Sequence, residues 1–236
     1  MTDLEYTGTE LDVLKYSTNY NEWLVNLYKP FIKGDLLEVG CGIGTISQEI
    51  LKQVPGLKSL TGLEPSQKLR QAYMSDFSDN QGKVTLSGST LFEIGNQQRY
   101  DCILYSNVLE HIEDDNNELI RAASMLKQGG ALLIYVPALP FLYSSFDKAI
   151  GHYRRYTKSS LDAAFENTRL HVIQKKWVDF PGILSWLIMV KLLNNSPNKN
   201  AVLFNDKYIV PLTRLVESKI TVPVGKNLLY VAVKAE

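Results

Sequence analysis

The sequence is short of cysteine, of net charge and of long apolar runs, and each shortage removes a class of protein. Its 236 residues include two cysteines, Cys41 and Cys102. Two are too few for a disulfide framework or a zinc cluster, and they suit a chain kept in a reducing compartment. Lysine and arginine total 25, aspartate and glutamate also 25, so the formal net charge is zero. A surface that tracks nucleic-acid phosphates needs a cationic excess, so no nucleic-acid partner is expected. The longest apolar stretch, Phe180 to Leu193, is interrupted by Pro181, Gly182 and Lys191. It falls short of the ~20 apolar residues that span a bilayer. No basic–apolar leader opens the sequence, and a cytoplasmic location is expected. The sequence pattern shows no repeat, no low-complexity tract and no cluster of metal ligands, so no metal is expected.

What is present reads as an ordinary globular chain. Apolar residues make up 45% and charged residues 21%, and the length suits one domain with a substantial core. The most informative stretch is Leu36-Leu37-Glu38-Val39-Gly40-Cys41-Gly42-Ile43-Gly44. An apolar run from Asp35 stops at glycines in every second position, and a helical stretch, 45–53, follows at once. Buried strand, glycine loop and helix start form the layout of a nucleotide-type ligand site in a parallel sheet. Glycine is needed where φ is positive or where a ligand touches the main chain. The helix start supplies free N–H groups. A pyrophosphate loop would be spaced G-x-G-x-x-G; here the spacing is G-x-G-x-G, with Glu38 two residues ahead. That carboxylate would repel a diphosphate and could accept hydrogen bonds from an amino group.

Further strands are expected at 59–63, 84–86, 100–105, 131–136, 170–178 and 227–233, with helices at 66–76, 116–127 and 158–166. The 116–127 helix would end in a cationic turn, Lys127-Gln128, followed by Gly129 and Gly130. Strands alternating with helices of this length imply a parallel sheet with right-handed crossovers. The division expected is an N-terminal helical cap (1–34), a core (35–178 and 226–236) and a helical insertion (179–225).

Together, Glu38 with Gly40, Gly42 and Gly44, the acidic Glu64 ending the second strand, Asn107-Val108-Leu109-Glu110-His111 after the fourth, and 129–137 around the fifth resemble the class I S-adenosylmethionine-dependent methyltransferases. The likeness covers about 16–178 and the last strand. It implies an α/β fold: a Rossmann-like, seven-stranded, mostly parallel sheet with an antiparallel C-terminal edge hairpin and helices on both faces. It implies S-adenosyl-L-methionine as cofactor and S-adenosyl-L-homocysteine as product. The implied cofactor contacts are Glu38, Gly40, Cys41, Gly42 and Gly44 in the loop, and Glu64 with Pro65 at the ribose. Ser89 and Thr90 fall near the adenine, with Ser89 where aspartate is common. Ser106, Asn107 and Val108 line the methionine end. Tyr16, Tyr20 and Trp23 lie on one helical face; an aromatic lid formed by Tyr16 and Tyr20 is one reading, and packing on the sheet is the other.

Residues 137–156 run on from the fifth strand and should lie over the acceptor. This segment looks like a subgroup associated with glycan or glycolipid assembly and secondary metabolism. Tyr143, Asp147, His152, Tyr153, Arg154, Arg155 and Tyr156 are the candidate acceptor contacts. Two adjacent arginines cannot easily face the same way: one could bind an acceptor carboxylate or phosphate, or pair with Asp147 and fix the loop. His152 is the leading candidate for a general base, and His111 the second, either as base or as a structural residue. The insertion's apolar run, 180–193, could cap an apolar acceptor, form a dimer face, touch a membrane surface or pack on the core. A monomer or a homodimer fits equally. The activity implied is methyl transfer to a small-molecule, glycan or lipid-linked acceptor, at oxygen. The alternatives are an NAD-dependent oxidoreductase, against which the loop spacing and Glu38 count, and a non-catalytic S-adenosylmethionine-binding protein on the same fold.

Overall fold

The computed structural model describes residues 16–76, 82–95, 97–192 and 199–235. The first 15 positions of the expected N-terminal cap lie outside the described residues. Seven strands form one sheet: β1 (Asp35–Val39), β2 (Ser59–Leu63), β3 (Val84–Ser87), β4 (Tyr100–Ser106), β5 (Leu126–Pro137), β6 (Leu170–Val178) and β7 (Asn227–Lys234). Their order is β3-β2-β1-β4-β5-β7-β6. The first five run parallel, and β7 lies antiparallel between β5 and β6. This is the sheet expected from the sequence, down to its C-terminal hairpin.

The central strands are continuous apolar runs because helices cover both faces of the sheet. Successive residues alternate between two cores. Leu37, Ile103, Leu132 and Tyr230 pack on one face, against α4 (Asp115–Met125) and α6 (Lys158–Ala164). Leu36, Leu104, Leu133 and Val231 pack on the other, against α1 (Thr18–Tyr28) and α2 (Thr45–Gln53). Each fully buried leucine of this kind contributes roughly 1.5–3 kcal/mol. The crossovers are completed by α3 (Gln67–Asp76), after β2.

The helix expected at 158–166 ends at Ala164, and the junction before the fifth strand moves further, with β5 starting at Leu126 rather than Ala131. The helix α4 ends at Met125, and Leu126 is already extended with ψ 141°. Lys127 therefore does not complement a helix C-terminus. Its Nζ bonds Asp35 at 2.8 Å and Asp101 at 2.7 Å. Those carboxylates stand at the amino ends of β1 and β4, and tertiary pairing with two of them outweighs the weak dipole preference.

The insertion is tied to the rest of the chain by its acids. It holds α7 (Phe180–Trp186), a π-helical run 187–192, α8 (Lys199–Phe204), π-helical turns 205–209 and α9 (Val210–Glu217). Asp206 accepts from the backbone N–H groups of Asn19 (3.0 Å) and Tyr20 (2.9 Å). It thereby caps α1, whose own Ser17 makes no side-chain cap. Glu217 accepts from the N–H groups of Asp179 and Phe180, at the start of α7. Trp23 is buried against the sheet, in the packing role. The ring of Tyr20 lies edge-on to it, and the Tyr20 hydroxyl meets that of Tyr135 on β5 at 2.6 Å.

Candidate active site

The site lies at the carboxyl ends of β1, β2, β4 and β5, where the loops of a parallel sheet open to a ligand. Gly40, Gly42 and Gly44 all have positive φ: 65°, 57° and 85°. A Cβ on Gly40 would come within 2.6 Å of Val108, so the glycine loop and the loop after β4 pack directly on each other. Gly44 precedes α2 without a side-chain cap, leaving first-turn N–H groups for a ligand. Glu64 ties the loop to β2. One oxygen accepts from the Gly42 N–H at 2.9 Å and the other from Ser66 N–H at 2.9 Å. Burial raises its carboxyl pKa, against the pull of those hydrogen bonds.

Several expected contacts take a local position. Glu38 sits beneath the loop and accepts from Ser47 on α2. Burial lifts its pKa to about 7, with the Ser47 hydrogen bond opposing. Cys41 turns its thiol inward against Gly62, so only its backbone faces the loop. Ser89 hydrogen-bonds Ser87, and Thr90 bonds Glu93, in the turn after β3. Ser106 meets the hydroxyl of Tyr28 at 3.1 Å. Asn107 is exposed with φ 55°, and its N–H bonds the Tyr135 carbonyl. Lys199 Nζ lies 4.3 Å from the centre of the Tyr16 ring. Arg70 was not among the expected residues. Its guanidinium donates to the carbonyls of Glu64 and Pro65, both at 2.6 Å, and fixes the turn after β2. The only sequence signal for it is a cation six residues past the acidic Glu64.

The 138–156 segment folds back over the loop after β4. Leu139 N–H bonds the Tyr156 carbonyl, and Tyr153 N–H bonds the Glu110 carbonyl. Asp147, on the short helix α5 (Ser145–Ala149), is the hub. It is fully buried and accepts from Ser144 N–H (2.9 Å), Ser144 Oγ (2.8 Å) and Arg155 Nε (2.8 Å), and faces His152 Nδ1 at 3.0 Å. Burial pushes its pKa up, but the His152 hydrogen bond and the Arg155 charge outweigh that and hold it at about 2. Of the two arginines, Arg155 therefore fixes the loop. Arg154 faces the other way, to Asp115 at 2.8 Å and the Glu113 carbonyl. Tyr156 is fully buried and bonds Asp115, and Tyr143 donates to the His152 carbonyl. Tyr153 is 54% exposed.

With Asp147 behind Nδ1, the other nitrogen of His152 points at Glu110, 3.8 Å from its Oε1. The His111 ring stands edge-on to His152 at 4.5 Å. Burial, then the neighbouring His152 charge, lowers the His111 pKa to about 4, so it is neutral at pH 7. Burial pushes the Glu110 carboxyl up to about 8, with its own backbone N–H and then the Arg155 charge opposing. Sequence reading named both histidines and passed over Glu110 as a chemical group, because nothing in its local pattern says it is buried.

Strand order, glycine loop and the acidic end of β2 define the class I S-adenosylmethionine-dependent methyltransferase fold. The chain belongs to the methyltransferase domain family, whose model matches residues 16–176. Among curated relatives, the ubiquinone biosynthesis O-methyltransferase of Rickettsia bellii is 24% identical over 155 residues, 60% of this chain and 63% of that one. The protein of the same name from Bradyrhizobium diazoefficiens is 30% identical over 115 residues, 49% of this chain and 44% of that one. The chain thus spans less than two thirds of the curated relatives it matches. Among solved structures, a complex between the Haloferax volcanii Trm112 methyltransferase activator and a methyltransferase aligns with TM-score 0.65 at 14% identity, over 98% of both chains. Haemonchus contortus phosphoethanolamine N-methyltransferase 2, in complex with S-adenosyl-L-methionine, aligns with TM-score 0.64 at 16% identity, over 97% of this chain and 58% of that one. S-adenosylmethionine is the cofactor of this family, and the residues present fit it. Three glycines keep the cleft floor free of side chains, an uncapped helix start faces it, and Glu64 offers a carboxylate where a ribose diol would lie.

Proposed function

We propose that the protein transfers the methyl group of S-adenosylmethionine to a hydroxyl of a small-molecule, glycan or lipid-linked acceptor. The observation that carries the reading is the Asp147–His152 pair set beside Glu110, next to the glycine loop. The cofactor supplies an activated methyl group when bound; the chain must hold it, align the acceptor and remove one proton. Glu64 holds the ribose, and the backbone of 40–44 receives the methionine end. Asp147 orients the His152 ring, and its free nitrogen takes the acceptor proton. The O-methyltransferase names of the curated relatives favour oxygen as the acceptor atom. The NAD-dependent alternative lacks a pyrophosphate-spaced loop. Calorimetry separates the two: S-adenosylhomocysteine binds and NAD does not, and Glu64→Ala weakens the former about tenfold, the worth of one hydrogen bond to a charged group. Tight NAD binding would overturn the assignment.

The insertion supports an acceptor met at a membrane surface. Trp186 docks α7 on the acceptor segment, through a bond to the Leu142 carbonyl and its ring 4.5 Å from the Arg155 guanidinium. On its outer side Phe180, Leu184 and Ile188 are exposed at spacings of four, one helical stripe, and Phe204, Tyr208 and Leu212 form a second. Asp206 and Glu217, the acids between 180 and 225, are both turned inward, and Lys207 lies over the Tyr208 ring of the second stripe. No described helix is long and apolar enough to cross a membrane, and this is the pattern of a surface that lies on anionic lipid. The protein is expected to sediment with phosphatidylglycerol vesicles and to lose that in Leu184→Glu; sedimentation indifferent to that change would remove the membrane reading.

A further inference from the structure

Three ligating side chains from two separate segments converge at the acceptor mouth. Glu110 and His111 follow β4, and His152 arrives with the 138–156 segment. One ligand atom of each lies within 4.8 Å of the other two. Glu110 is fully buried, and neither of its oxygens has a hydrogen-bond partner on any other described residue. A buried carboxylate without a partner is costly, and native structures rarely leave one unexplained. The His152 contact at 3.8 Å is too long for a hydrogen bond, and it accounts for one oxygen only.

Both imidazoles are already oriented from behind. Asp147 faces Nδ1 of His152 at 3.0 Å, and Nδ1 of His111 is turned toward the Gly151 backbone. Metal-binding histidines are held in this way: one ring nitrogen is engaged by a carboxylate or carbonyl, and the other presents its lone pair forward. The nearby Arg155 is neutralised by Asp147, so a bound cation would displace the Glu110 proton and meet one negative charge at the centre.

We propose that Glu110, His111 and His152 bind one divalent transition-metal ion. Two imidazoles and a carboxylate suit zinc, cobalt(II) or iron(II) rather than magnesium or calcium, and leave coordination positions open. Ligand bonds of about 2.0–2.2 Å require the three side chains to draw in by about an ångström. This deepens the proposed function and rests on it. In the ion-loaded protein His152 would be a ligand, and the ion would supply Lewis-acid activation of the acceptor hydroxyl in place of a side-chain base: the hydroxyl proton would pass to water, the oxygen would bond the methyl carbon, and the electrons of the broken S–C bond would return to sulfur.

The test uses the full chain, freed of metal by chelation and titrated with cobalt(II) chloride. One cobalt per chain should bind, with visible ligand-field bands. Glu110→Gln and His111→Gln should each weaken binding at least about tenfold, while S-adenosylhomocysteine affinity, measured in parallel, shows that the variants remain folded. Substoichiometric cobalt, or bands unchanged in both folded variants, would overturn the metal site and leave the methyltransferase reading standing. Failure of the metal-free parent protein to bind S-adenosylhomocysteine would instead remove the reading on which the site rests.

Discussion

Turnover of a His152→Ala variant is expected to fall by about 10²–10⁴-fold, the usual worth of a positioned proton-transfer group. Affinity for S-adenosylhomocysteine should stay unchanged, because the proposed function places the ring at the acceptor and its contacts are with Asp147, Glu110 and His111 rather than with the glycine loop. The imidazole has one nitrogen committed to Asp147 and the other facing Glu110 and His111. Its loss therefore removes proton transfer, or metal ligation, without opening the fold. Added imidazole should restore part of the rate, which loss of packing alone would not allow. Steady-state kinetics with calorimetry on the same preparation decides it. Unchanged turnover would take His152 out of the chemistry.

Asp147→Ala should destabilise the protein by about 3–5 kcal/mol, the cost of removing one partner of a buried ion pair. The variant leaves the Arg155 guanidinium, itself 5% exposed, with no carboxylate in contact. It also strips Ser144 N–H and Ser144 Oγ of their acceptor. Urea unfolding measures the loss, and a change under 1 kcal/mol would show that Arg155 finds water instead. The same pair sets a pH dependence. The carboxyl is held at about 2 in the folded protein, against about 3.9 in an unfolded chain. Its contribution is complete above about pH 4 and is lost as the pH falls through 2. Acid unfolding of the parent protein should therefore steepen in that window, and that component should be missing from Asp147→Ala.

The strands were legible because each is a short apolar run with a turn signal at its end, and both faces of a central strand demand apolar residues. Six appear within one residue of their expected bounds, and the fifth begins five residues earlier, at Leu126 rather than Ala131. The overestimate at 116–127 has a definite cause: Lys127 looked like a helix-terminal cation, but Asp35 and Asp101, brought together by the β1–β4 pairing, claim it. Local pattern carries no information about a partner from another strand. The two arginines show the same limit. Sequence left pairing with Asp147 and acceptor binding equally open, and geometry divided them, Arg155 to Asp147 and Arg154 to Asp115.

Sequence alone determined the sheet, the glycine loop and the acidic end of the second strand, because all of these are local: periodicity and spacing are written in neighbouring residues; the cofactor followed from the family these motifs resemble. Only the tertiary structure decided which groups meet in the proposed acceptor centre. Glu110 beside two imidazoles, Asp147 buried under Arg155, and the insertion fastened by Asp206 to a helix near the other end of the chain are contacts between distant segments. Burial and the loss of water give those groups their altered proton affinities, and burial is a property of the folded packing rather than of any stretch of sequence.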